Sequence, residues 1–261
     1  MKLPKNTPTE FCRAFIAREL ESYKEDKIWM SCWSTMERLI DRSNELELVF
    51  EEIVKCFGYS DKHENSKLWL VLEHVWHSAE YSKDEIIQAR INQKEISALN
   101  SEVVKLSEEL AASLKKLDHL YKISGFIKPR HQTVVDIIEQ GAKGNYHYET
   151  HVSEKIRSLE CEYDYKYWPE ISDVISSIAL FESSLPLPEH LDIPSNVLNG
   201  RVSDIKDFVL AFDNAFYDSY DIPDTFRFSN NALSSIINVV LDLPVEKIVT
   251  GDSVRLVRNR Y

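Results

Sequence analysis

Two histidine pairs carry the spacing in this chain that comes nearest to a recognised chemistry. His74 and His77 are three residues apart in His74-Val75-Trp76-His77. On a helix, residues at that spacing are neighbours, so both imidazoles could present nitrogen to one divalent metal. Glu73 is adjacent in sequence but rotated away, and no third ligand follows from the pattern. His147 and His151 are four apart and would share a helical face, with Glu149 turned off it. The zinc-protease pattern HExxH requires glutamate directly after the first histidine, and here that residue is Tyr148. Both pairs also read as ordinary polar groups, at a core edge and at a helix start. The expectation is therefore no cofactor, and a metal-dependent hydrolase stands as the most distant of three functional readings.

Other clusters are weaker. Tyr163, Tyr165, Tyr167 and Trp168 surround Lys166 and could stack on bases. Glu160, Glu162, Asp164 and Glu170 flank them and repel a phosphate backbone, so packing is the better reading. Asp213, Asp218, Asp221 and Asp224 lack the alternating oxygen ligands and central glycine of a calcium loop, and read as a solvated face. Cys12, Cys32, Cys56 and Cys161 form no CxxC pair. The first three fall in apolar helical patterns, where an inert buried thiol is usual, and a reducing compartment is expected. No GxGxxG, GxxxxGK[ST] or GxSxG occurs, which removes the sequence signatures of dinucleotide, P-loop and serine-hydrolase sites.

Positive charge gathers only at the end of the chain. Lys247, Arg255, Arg258 and Arg260 lie in a segment that resembles a helix-turn-helix in outline only. Arginines on a helix can contact phosphates or guanine edges, and a DNA-associated regulator is the second reading. Cations at a helix C-terminus also complement its dipole. The net charge of −12 opposes broad nucleic-acid binding.

The elements that carry these residues are helices, and the longest organises the rest. From Lys83 to Gly125 the chain reads as one helix of about 42 residues, about 63 Å long. Ile96, Leu99, Val103, Leu106, Leu110, Leu117 and Leu120 alternate spacings of three and four, with Ser113 at the one missing position and Leu114 beside it. Such a stripe must bury against another helix. Closure within the chain, as a helical hairpin, is the favoured expectation; a dimer or a partner protein is the other. The best candidate to lie on it is a second long pattern, from Lys27 to Phe57, ended by Gly58. Thr7-Pro8-Thr9-Glu10 opens a first helix with a capping threonine, proline at the first helical position and glutamate three residues on. Leu68 to Tyr81 is apolar nearly all round and reads as buried. Shorter helices follow, closing at Gly141, running over Tyr146–Trp168, and opening after Pro169 with Ile171, Val174, Ile175, Ile178 and Phe181 inward. Ser203 and Ser229 can cap two more, and Asp252 or Ser253 a last one.

No convincing alternation of β-branched residues appears, so the class expected is all-α. The organisation expected is a helical domain over 1–184 carrying the coiled-coil-like arm, a Pro-containing linker over 185–202 with Pro186, Pro188 and Pro194, and a small helical domain over 203–261. No apolar signal region lies in Met1–Glu10 and no long apolar run follows, so no membrane contact and a cytoplasmic location are expected. The leading functional expectation is a non-enzymatic helical module that binds a protein partner or itself.

Overall fold

A computed structural model describes residues 3–61, 66–128, 132–217, 222, 223 and 225–261; the side chains of Cys161, Tyr165 and Tyr217 are outside that description. Among the described residues the fold is all-α and contains no strand. The helices in chain order are α1 (Pro8–Asp26), α2 (Trp33–Asp41), α3 (Glu47–Phe57), α4 (Ser66–His77), α5 (Lys83–Ser124), α6 (Val134–Gly141), α7 (Tyr146–His151), α8 (Ser153–Glu162), α9 (Ile171–Ser183), α10 (Ser195–Leu198), α11 (Asp204–Tyr217), α12 (Asn230–Val240) and α13 (Gly251–Arg260). The chain divides into two compact units, residues 1–92 with 189–261, and residues 93–188.

The first unit holds a dense core. Phe11, Phe15, Phe50, Trp76, Phe208, Phe212 and Phe228 are wholly buried, and each such side chain contributes about 1.5–3 kcal/mol relative to exposure. Thr7 caps α1 as its sequence implies, Oγ1 accepting from Glu10 N at 3.2 Å. The single helix expected over 27–57 is instead broken. Lys27 and Trp29 take left-handed φ of 55° and 50°, and Trp33 Nε1 donates to Ile28 O at 2.9 Å across the break. A second interruption at Arg42 and a 3-10 turn over Ser43–Leu46 separate α2 from α3. These breaks let α2 and α3 fold onto α1, α4 and α12, so neither lies along α5 as a long partner. The first break falls at the start of the expected helix, whereas apolar periodicity runs on through the second, which only the local backbone reveals.

The last helices complete the core that the first ones begin. α12 packs on α2, α3 and α4. Arg38 Nη2 donates to Val240 O at 2.7 Å, and Arg42 Nη1 reaches Asp242 Oδ1 at 3.0 Å, so two cations cap the carbonyl end of α12. Within 185–202, read from sequence as a linker, Ile193, Val197 and Leu198 are buried. The first turns of α5 are held by Asp207, 1% exposed. Its carboxylate accepts from Arg90 Nη2 at 3.1 Å and Ser203 N at 3.0 Å, while Arg90 also donates to Val197 O. Thr250, not Asp252 or Ser253, caps α13, its Oγ1 accepting from Ser253 N at 3.4 Å. Gly251 then sits where α13 meets α12: a Cβ there would lie 1.9 Å from Asn231 Oδ1 and 3.2 Å from Asn231 N.

The second unit is thinly packed. Over all of 93–188 the only buried apolar side chains among the described residues are Ala111, Val135 and Ala179. α6 opens with a capping box between Thr133 and Asp136. Val152 leaves helical geometry and splits the expected Tyr146–Trp168 helix into α7 and α8. α5 ends at Gly125, whose φ of +73° closes the helix in a conformation glycine adopts without strain.

Candidate interaction surface

The side chains with the best chemical credentials are occupied by packing. His74 lies 5.2 Å, centroid to centroid, from Phe216. Burial holds its imidazolium pKa below the ordinary value; His77 pushes the same way, and Asp192 opposes both. His77 is edge-on to Trp29 at 5.3 Å, and its Nδ1 is 3.6 Å from Glu80 Oε1. His147 and His151 stack at 6.4 Å on exposed α7, while Glu149 accepts from Gly144 N at 3.0 Å. Among the described residues no three His, Cys, Asp or Glu side chains are placed to hold a metal ion.

The basic C-terminal helix is similarly divided. Arg258 is an internal residue: Nε and Nη2 donate to the two carboxylate oxygens of Asp213 at 2.9 and 2.7 Å, and Nη1 donates to Phe228 O and Asn230 Oδ1. Asp213 also takes Arg227. It is therefore a buried hub, which corrects the expectation that its acidic run is a solvated face. Asp218, Asp221 and Asp224 of that run lie outside the described residues. Arg255 is exposed and pairs with Asp252 at 3.0 Å. Arg260 stands over the Tyr261 ring at 5.8 Å, and Lys247 is exposed in a 3-10 turn. Tyr163 and Tyr167 pair edge to face at 6.2 Å and are exposed. Cys12 and Cys32 are buried free thiols, and burial raises the Cys32 pKa to about 11. Cys56 is exposed, against the expectation of an inert buried thiol.

What remains is the stripe on α5. All seven residues of the heptad series are exposed, from 42% at Val103 to 53% at Leu99 and Leu106. The hairpin closure expected for this stripe is not what the chain makes. A different series on α5 is covered: Gln93, Ser97, Asn100, Val104, Ser107, Ala111, Leu114, Asp118 and Tyr121 are the buried or half-buried positions. They too alternate spacings of four and three, one residue on from the apolar series, and so lie roughly 100° round the helix. Asp118 accepts from Lys128 Nζ at 2.6 Å, and earlier positions meet α9 and the residues just after it. Gln93 Nε2 donates to Pro188 O at 2.9 Å, Asn100 Nδ2 to Glu182 O at 3.1 Å, and Lys115 Nζ is 3.0 Å from Asp173 Oδ1. Numbers rise along one helix as they fall along the other, so α5 and α9 are antiparallel.

The chain matches no family model, no curated protein and no solved structure.

The covered face of α5 was missed in the sequence because it is small and polar, where a search for apolar periodicity finds nothing. Its amides have a defined use. Glu182 O is among the last four carbonyls of α9, which have no partner inside their own helix. Asn100 supplies one. On α9 itself Ser172 and Ala179 are buried, whereas Ile178, Phe181 and, just beyond, Leu185 are exposed, so Ile178 and Phe181 are not inward as their periodicity suggested. Ile171, Val174, Ile178, Phe181 and Leu185 alternate three and four, a second apolar series whose last member the sequence reading had assigned to the linker.

Proposed function

We propose that this chain is a non-enzymatic assembly module that joins another protein chain, a second copy or a different one, through the apolar faces of residues 93–188. One observation carries the reading. Among the described residues of 93–188 three apolar side chains are buried, while at least ten large ones are exposed on α5 and α9. Folding that much backbone costs about 1 kcal/mol or more per residue in conformational entropy. A core of two alanines and one valine does not offset it. Contiguous exposed apolar surface of this extent is the mark of an interface. The placement of His74, His77 and Arg258 in packing contacts supports a non-catalytic role for those positions.

Among the described residues no helix is long and apolar enough to cross a membrane. The proposal places the protein in the cytoplasm, a reading supported by buried free Cys12 and Cys32. The test is photo-cross-linking in the native cell from a reactive residue at position 106, with Leu110→Asp as the control. A defined adduct, lost in the control while the protein's abundance is unchanged, is the expected result. Absence of any adduct at 106, and equally at 178, overturns the reading.

A further inference from the structure

Resting on that reading, we infer that the two apolar series form one surface, and that its occupant is a second copy of this chain, with α5 of each copy laid over α9 of the other. The first step is geometric. On α5 the exposed series (Leu99, Val103, Leu106, Leu110) precedes the covered one (Asn100, Val104, Ser107, Ala111) by one residue. On α9 the apolar series (Ile171, Val174, Ile178, Phe181), half-buried at Ile171 and Val174 and exposed at Ile178 and Phe181, likewise precedes the covered positions (Ser172, Ile175, Ala179, Glu182) by one. One residue back is a rotation of roughly 100° in the same sense along each chain. In parallel neighbours that would turn the two stripes to opposite sides of the pair. Because α5 and α9 are antiparallel, it turns both stripes to the same side, and the two helices form a layer with one continuous apolar face.

The extent of that face fits a stable dimer. The exposed fractions of the α5 series, with Ile178, Phe181 and Leu185 exposed at 43%, 72% and 56%, give on the order of 1,000 Å² on each chain, above the ~800 Å² per partner of a standard interface. A two-helix layer with one apolar face is half of a four-helix bundle, and a two-fold axis supplies the other half. A two-fold running parallel to the helices introduces no slide along them. The level of α5 against the partner's α9 is then the level it already keeps with its own, in which Lys115 meets Asp173 and Asn100 meets Glu182. With Leu99 level with the partner's Leu185, Val103 meets Phe181, Leu106 meets Ile178 and Leu110 meets Val174, and Ser113 at Ile171 is the one layer without an apolar side chain on α5.

The charged edges agree. The outer edge of α5, one residue before the apolar series, carries Glu102, Glu109 and Lys116, with Glu95, Lys105 and His119 at its remaining polar positions; that of α9 carries Ser184, Leu180, Ser177, Asp173 and Glu170. In the same register Glu102 comes to Ser184, Glu109 to Ser177 and Lys116 to Glu170. One opposite pair, Lys116 with Glu170, forms twice, and Asp173 on the same edge is already paired with Lys115 of its own chain at 3.0 Å.

Sedimentation equilibrium on the full chain tests this, with Leu106→Glu, Phe181→Glu and the pair Lys116→Glu and Glu170→Lys. The wild type is expected to be a dimer. L106E and F181E are each expected to be monomeric with unchanged far-ultraviolet dichroism, because both side chains are exposed within one copy. K116E is expected to weaken the dimer several-fold and E170K in the same chain to restore it. A wild-type chain that is monomeric at tens of micromolar overturns the self-association, while the assembly reading then stands or falls on the cross-linking at 106 and 178. A dimer that survives F181E but not L106E overturns the two-helix surface. Loss of the dimer in K116E without rescue by E170K overturns the crossed arrangement.

Discussion

Arg255 and Arg258 lie three residues apart on α13, and their surroundings set opposite expectations. Arg258 uses its guanidinium on Asp213, Phe228 O and Asn230, so Arg258→Ala leaves a buried carboxylate that has lost its two-toothed partner and keeps Arg227 beside it. The expected loss is about 3 kcal/mol by urea unfolding. Arg255→Ala removes an exposed pair and is expected to stay within about 0.5 kcal/mol. A phosphate-contact role for this helix is therefore tested at Lys247, Arg255 and Arg260, by the salt dependence of binding, and not at Arg258. His74 makes a pH prediction. Its folded pKa lies below the ordinary value because it is buried and faces His77. The unfolded chain takes up that proton near pH ~6.5, before the folded chain does. Stability is then fully present above that pH and is lost as pH falls from there towards the folded value. The melting temperature is expected to drop over that window, and His74→Gln is expected to flatten the drop; equal pH profiles would assign the loss to other groups.

At the scale of elements, Ser113 is the one gap in the α5 series, with its hydroxyl donating to Glu109 O at 2.9 Å. If the series is an interface, Ser113→Leu fills a vacant layer and tightens association by about tenfold, an increment of ~1–2 kcal/mol; an unchanged dissociation constant by sedimentation would show that this layer is not buried. Much of the element structure was legible. Thr7, Gly58, Gly125 and Ser229 mark helix ends by local chemistry that operates wherever the chain is placed: a hydroxyl for an open N–H, a glycine for positive φ. The break at Arg42–Leu46 was not legible, because the apolar pattern continues across it. That α5 turns its small and polar positions, not its apolar stripe, towards its own chain was hidden for a related reason. Apolar periodicity reports what must leave water, not which neighbour covers it. The links from α5 to α9 and the residues just after it are made by Asn100, Lys115 and Gln93, residues with no apolar signal.

For the whole molecule, the path of the chain matters more than any one element. It leaves the first unit inside α5 and returns near Glu189, and Gln93 and Pro188 are hydrogen-bonded at 2.9 Å, so exit and return are adjacent. Residues 93–188 thus behave topologically as an insertion. Splicing Asn92 to Glu189 through a short Gly-Ser linker is expected to give a chain with a cooperative melt and intact near-ultraviolet dichroism from buried Trp76; a non-cooperative melt would mean that the first unit depends on the second. The sequence division at 185–202 coincides with the return crossing, whereas the outward crossing is hidden in an uninterrupted helix and leaves no compositional trace. This order of assembly has a consequence for the birth of the protein. α2 and α3 are made early, but α12, which covers them, is made more than 170 residues later. At ordinary ribosomal speeds that is roughly 10–40 s. Through that interval the faces of α2 and α3 that pack on α12 wait without their cover, so the nascent chain is a client for whatever holds apolar segments apart during translation.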